Sequence, residues 1–292
     1  MRTKKYLHRI SILLVVISVM QAFSVWGKPA KKKIRKTPVA KTAVAESSKN
    51  DEEFKAFIAD LHSSDPEKVI VAVQMLGLSE NPAASEHLIA LLKTGPGNDI
   101  TNLALQTLGV LKNPNAIDTL IKYLNHRRSD ARTAALSALI EFNSPKIKNA
   151  LEQKLRDSNP EVRTRAALAL GTKGDASSVS VLFKAFERGV NEAAISIGKL
   201  GSGKDALHLT EYLGKLDIST LLPGLREYLL GKQPDDQTRL QVLNILFDFA
   251  GPEVRQFAIQ LLEDIKAARP EMEYDDPILK LLHKMVNQIA KE

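Results

Sequence analysis

Ala72, Ala104, Ala135 and Ala166 stand 32, 31 and 31 residues apart, and each is followed four positions on by Leu76, Leu108, Leu139 and Leu170. A second ladder keeps the same step: Leu88, Leu120, Leu151 and Leu182, followed four on by Leu92, Leu124, Leu155 and Phe186. A period of this length marks a supersecondary unit that cannot bury its own apolar face and must stack on its neighbours. The chain is therefore expected to fold as an all-α solenoid, a superhelix of stacked antiparallel helix pairs whose surface, rather than an enclosed cavity, is what it offers.

Start signals split each unit in two. Asp65-Pro66-Glu67 and Asn159-Pro160-Glu161 open a first helix. In both, a side-chain acceptor precedes a proline that needs no donor, and an acid faces the positive end of the helix dipole. Asn81-Pro82, Asn113-Pro114 and Ser144-Pro145 place the same signal before a second helix, and Asp175-Ala176 keeps the cap without the proline. Upstream, Phe54, Phe57, Ile58 and Leu61 line one face of a helix that begins the ordered body near Asp51.

These residues carry a family resemblance. Val162 to Gly171 reads Val-Arg-x-x-Ala-Ala-x-Ala-Leu-Gly, followed by Asp175, Leu182 and Phe186. The pattern resembles the HEAT repeat, in its bacterial PBS-lyase HEAT-like form, and implies a HEAT/armadillo-like array built mainly for protein contacts, with few enzymes among its members. Repeats are expected near 65–95, 99–127, 129–158, 159–189 and 190–217. An irregular segment at 218–233 containing Pro223-Gly224, a helix pair at 234–264 and a C-terminal capping helix at 276–292 would follow. The apolar stripe of that last helix, Ile278, Leu281, Leu282, Met285, Val286 and Ile289, would cover the end of the stack or dock on a partner.

The pI near 9.4 belongs to the N-terminus. Residues 1–50 hold twelve Lys/Arg and one acid, whereas residues 51–292 hold 29 Lys/Arg against 33 Asp/Glu. A nucleic-acid-binding solenoid would carry its positive charge on the array, so nucleic acid is not an expected partner. Arg2, Lys4, Lys5, His8 and Arg9 precede an apolar stretch from Ile10 to Met20, and Ala22 and Ser24 suit cleavage after Ser24. Residues 1–24 read as a signal peptide, or the segment to about residue 27 as an uncleaved anchor; either delivers the body across the membrane, to a periplasmic or secreted location. Residues 25–50 read as a disordered basic linker. Lys28, Lys31, Lys32, Lys33, Arg35 and Lys36 in it could contact a membrane or cell-wall polymer, or serve only as a solvated spacer.

The sequence names no chemistry. Cysteine is absent, which removes disulfides, thiolate metal sites and a cysteine nucleophile. The six histidines show neither i, i+4 pairing nor His-Glu steps, so no metal ligands, catalytic residues or cofactor are expected. Ladder residues are assigned to packing. What remains is the exposed side of the second helices, where Lys122, Tyr123, His126, Arg127, Arg128, Arg156, Lys184 and Arg188 form a candidate partner-binding face, interrupted by Glu152, Asp157 and Glu187. The expected function is a non-enzymatic protein–protein interaction scaffold or adaptor of the bacterial cell envelope. The alternatives are a chromophore lyase or isomerase of the bilin-lyase kind, which the resemblance implies, and an envelope tether acting through the basic linker.

Overall fold

The computed structural model describes residues 51–231, 235–268 and 275–289. The expectations for the leader and for the linker to residue 50 lie outside them. Among the described residues there are fifteen α-helices and no strand, with one isolated bridge between Leu213 and Leu216. Helix α1 (51–60) leads into seven helix pairs. The first four are α2 (Pro66–Leu78) with α3 (Ala84–Lys93), α4 (Asn98–Leu111) with α5 (Ile117–Tyr123), α6 (Ser129–Leu139) with α7 (Pro145–Lys154), and α8 (Pro160–Lys173) with α9 (Val179–Phe186). Then come α10 (Ala193–Leu200) with α11 (Gly203–Thr210), α12 (Ile218–Leu230) with α13 (Asp236–Phe249), and α14 (Pro252–Ala268) with α15 (Pro277–Gln288).

Capping follows the sequence signals. Asp65, Asn159 and Asp175 each accept a backbone N–H of the turn they open, and Asn113 caps the short 3-10 turn ahead of α5. Ser144 is an exception: its side chain makes no cap bond, and its carbonyl accepts the Ile147 N–H instead. The alanine and leucine ladders are buried throughout the first four pairs. Each buried leucine contributes roughly 1.5–3 kcal/mol of apolar transfer, and the alanines let the first helices approach closely. At Gly109 on α4 an added Cβ would lie 2.8 Å from the Ala138 Cα on α6, so glycine is required by the neighbouring backbone.

The C-terminal third differs from expectation. Residues 218–230 are not irregular but form α12, with Pro223 inside it. Gly224 explains why: a Cβ there would run into the Ala194 carbonyl on α10, and one at Gly198 on α10 would meet the Gly224 carbonyl. The two helices thus touch backbone to backbone, and α12 continues the stack of first helices α2, α4, α6, α8 and α10. The expected pair at 234–264 is consequently divided between two units. Helix α13 is the second helix of the sixth unit and packs on α11, whereas α14 opens the seventh unit and packs on α12. Helix α15 completes the seventh unit against α13 and α14, burying Ile278, Leu279, Leu282 and Met285.

Neighbouring units are also joined by polar bonds spaced near the period. Asn113 donates to the Pro82 carbonyl at 2.9 Å and Tyr123 Oη to the Leu92 carbonyl at 3.0 Å, each across 31 residues. Ser196 Oγ donates to the Ala167 carbonyl at 2.6 Å. Such bonds set the rotation of one unit on the next, which the non-directional apolar contacts leave loose.

Candidate functional site

First helices meet through alanine and glycine, but the second helices of the first four units stand further apart. Two open grooves result. One, of about 530 Å³, lies between α3 and α5 and is lined by Leu92, Lys93, Thr119, Lys122, Tyr123, Asn125, His126 and Arg127. The other, of about 500 Å³, lies between α7 and α9 and is lined by Asn149, Glu152, Gln153, Leu155, Arg156, Val181, Lys184, Ala185 and Arg188. The intervening junction of α5 and α7 is tied by Lys154 Nζ donating to Asn125 Oδ1 at 2.7 Å and by the Lys146–Asp118 ion pair at 2.8 Å.

Seven of the eight candidate residues therefore fall into the two grooves. The eighth, Arg128, does not belong with them. Its side chain is 18% exposed and lies 3.6 Å from Asp130, with Asn102 donating to the same carboxylate, so its charge serves the start of α6. Tyr123 contributes a ring rather than a hydroxyl, because its Oη is committed to Leu92. Burial pushes that phenol above its ordinary value, the nearby Arg128 charge opposing the shift. The ring stacks on His126 at 5.5 Å and 19°, and the Arg128 N–H donates to His126 Nδ1 at 3.2 Å. A neutral His126 then carries its proton on Nε2.

The charges in the grooves are paired very unequally. Elsewhere in these units lysines meet acids across the stack, as in Lys112–Glu141 at 2.7 Å and Lys148–Asp175 at 2.9 Å. Among the described residues Lys93, Lys122, Arg127, Arg156, Lys184 and Arg188 have neither an ion pair nor a side-chain hydrogen bond, and all six are exposed. The acids that interrupt the stripe in sequence are occupied. Glu152 accepts from Ser178 Oγ at 2.6 Å, and Glu187 accepts from Tyr212 Oη at 3.1 Å. Asp157 takes both arms of the Arg132 guanidinium, at 2.5 and 2.9 Å.

That last pair exposes a register within the array. Arg132 also donates to the His126 and Arg127 carbonyls, six and five residues behind it, and Arg163 repeats this with the Asp157 and Ser158 carbonyls. Asp157 itself would be raised by burial, but the Arg132 bonds, the Asn159 N–H and the Arg132 and Lys154 charges hold it below the usual carboxylate range. One period before and after Asp157 the chain has His126 and Arg188. A position that closes an ion pair in the third unit thus faces a groove in the second and fourth.

Sequence reasoning missed Lys93, Asn149 and Gln153. Lys93 follows the apolar run from Leu88 to Leu92 and joins Lys122 only across the groove, so no local charge cluster announces it. Among the described residues no three His, Asp or Glu side chains converge in a way that could hold a metal ion, and no helix is long and apolar enough to cross a membrane.

Comparison with known proteins agrees with this architecture. The family model described as HEAT repeats matches residues 54–140 and 117–196, a stretch that contains both grooves. No curated protein matches the chain. Among solved structures, the complex of CpcE and CpcF of phycocyanin lyase from a Nostoc species is similar at 20% identity. The likeness covers 84% of this chain and 99% of that one, with a TM-score of 0.45. The repeat pattern, the stacked helix pairs and the family match show that residues 54–196 of this chain are built of HEAT repeats.

Proposed function

We propose that the protein is a non-enzymatic scaffold of the bacterial cell envelope that holds an acidic segment of a partner protein against the second helices of its first four units. One observation carries the reading: six exposed cations line the two grooves without an ion pair or side-chain hydrogen bond, against a single lining carboxylate, Glu152, while Asp157 is taken up by Arg132. An unpaired cation in a concave, partly apolar setting attracts a carboxylate more strongly than one on an open face, because solvent screens it less. The array as a whole is slightly acidic, so this attraction is local and directs a partner to the grooves rather than to the body at large. The basic-then-apolar pattern of the N-terminal segment, read as a signal peptide over residues 1–24 or an anchor to about residue 27, supports placing that partner beyond the cytoplasmic membrane.

The test is crosslinking and affinity capture from the native envelope with the full chain as bait, beside variants Lys122→Glu/Arg127→Glu and Arg156→Glu/Arg188→Glu. A partner held by the wild type and lost from either variant, at unchanged melting temperature, is the expected result. Identical recovery from all three baits would refute the reading. Fractionation of a C-terminally tagged chain that leaves it wholly in the cytoplasm would remove the envelope placement. A chromophore lyase would instead transfer a bilin to an acceptor protein, an activity the same purified chain can be assayed for directly.

A further inference from the structure

The two grooves are not adjacent. The junction of α5 and α7, which falls between them, is closed by the Lys154–Asn125 bond and the Lys146–Asp118 pair. Closely packed helices lie roughly 10 Å apart and these second helices stand further apart than that, so the groove between α3 and α5 and that between α7 and α9 are separated by two steps, at least about 20 Å. An extended chain advances about 3.3 Å per residue, so two three-residue clusters with six neutral residues between them have their centres about nine residues, or about 30 Å, apart and span that distance, whereas a two-residue spacer sets them only about 17 Å apart.

Each groove holds three cations without an ion pair, Lys93, Lys122 and Arg127 in one and Arg156, Lys184 and Arg188 in the other, and the second also holds the Glu152 carboxylate, which accepts from Ser178 Oγ. The tied junction offers only engaged groups, since Asn125 Oδ1 and Asp118 are already bonded to lysines and the lysine charges are matched or shared there. A uniform acidic run would therefore find partners at its two ends and none at its middle. On the proposed function we infer that the ligand is an extended protein segment with two acidic clusters separated by about six neutral residues, one cluster in each groove. The floors differ as well. Tyr123 and His126 give the first groove a flat aromatic wall, whereas Leu155, Val181 and Ala185 give the second an aliphatic one, so an aromatic residue beside a cluster would fix its direction along the array.

Two weak sites joined by a linker of matching length gain affinity without any new contact, and lose that gain when the length is wrong. Fluorescence anisotropy with the full chain measures this. The probes are a peptide with two three-residue acidic clusters and a six-residue Gly/Ser spacer, the same residues with a two-residue spacer, and one cluster alone. We expect the six-residue spacing to bind at least about tenfold tighter than either control. Lys122→Glu/Arg127→Glu and Arg156→Glu/Arg188→Glu should each reduce it to the level of the single cluster. Equal affinity for both spacings would overturn the two-site ligand while leaving the acidic-partner reading in place. Binding of all peptides that neither variant weakens would sink that reading too. A single-stranded oligonucleotide of equal charge that competes as strongly as the spaced peptide would likewise overturn a protein segment as the ligand.

Discussion

Arg132 and Asp157 show how one buried pair can serve both order and position. Their side chains are 9% and 6% exposed, and between them they join the turn after α5, the start of α6 and the turn after α7. Removing one member leaves a buried charge without a counterion, so Asp157→Ala should cost about 3 kcal/mol in urea unfolding, whereas Arg132→Met with Asp157→Leu should cost less than the single change. A second residue-scale effect depends on pH. The Ser177 hydroxyl, the Lys148 ammonium and the Ser177 N–H bring Asp175 from its ordinary 3.8 down to about 2. A carboxylate with a depressed folded value stabilises the native state above its unfolded value, and that contribution disappears as pH falls through the folded one. Asp157, Asp217 and Asp235 are shifted the same way. Acid unfolding should therefore develop below about pH 4, and NMR should find the Asp175 carboxyl titrating near 2. The charges at the grooves were legible in the sequence, but their availability was not. Whether Asp157 neutralises a groove cation depends on Arg132, which lies 25 residues away.

At the scale of elements, the ladders gave the helix pairs of the first four units because a four-residue step of apolar side chains has few other solutions. Helix α12 escaped because Pro223 and Gly224 together read as a turn. In the folded chain each residue has a separate explanation. Pro223 is exposed, where a lost N–H bond leaves its carbonyl partner to water, and Gly224 is buried where α10 comes closest. With α12 unrecognised, every later helix was assigned one place off in the alternation. Gly224→Val tests the explanation. Backbone on α10 cannot yield as a side-chain tip would, so the variant should lose at least about 1–3 kcal/mol. Helix α15 is likewise integral: it covers α13 and α14, and Arg255 Nε donates to its Val286 carbonyl at 2.9 Å. Ending the chain at residue 268 should lower the melting temperature and promote aggregation through the uncovered faces of α13 and α14.

For the whole array, each unit is supported by its neighbours, so damage should stay close to where it is made. Hydrogen exchange on Gly224→Val is expected to show lost protection in α10 to α13 and little change in α2 to α6; uniform loss along the array would contradict nearest-neighbour support. The same one-dimensional logic gives the interrupted Arg–Asp register a wider meaning. Arg163 has the backbone bonds of Arg132, but one period after Asp157 the chain has Arg188 in place of an acid. Arg188→Asp should therefore raise the melting temperature and weaken acidic-ligand binding in the same protein. Rigidity and reception compete for a single recurring position, and where that competition is decided for reception the array opens a window. One substitution per unit would be enough to shut that window or to shift it along the stack, with the helices and their ladders unchanged.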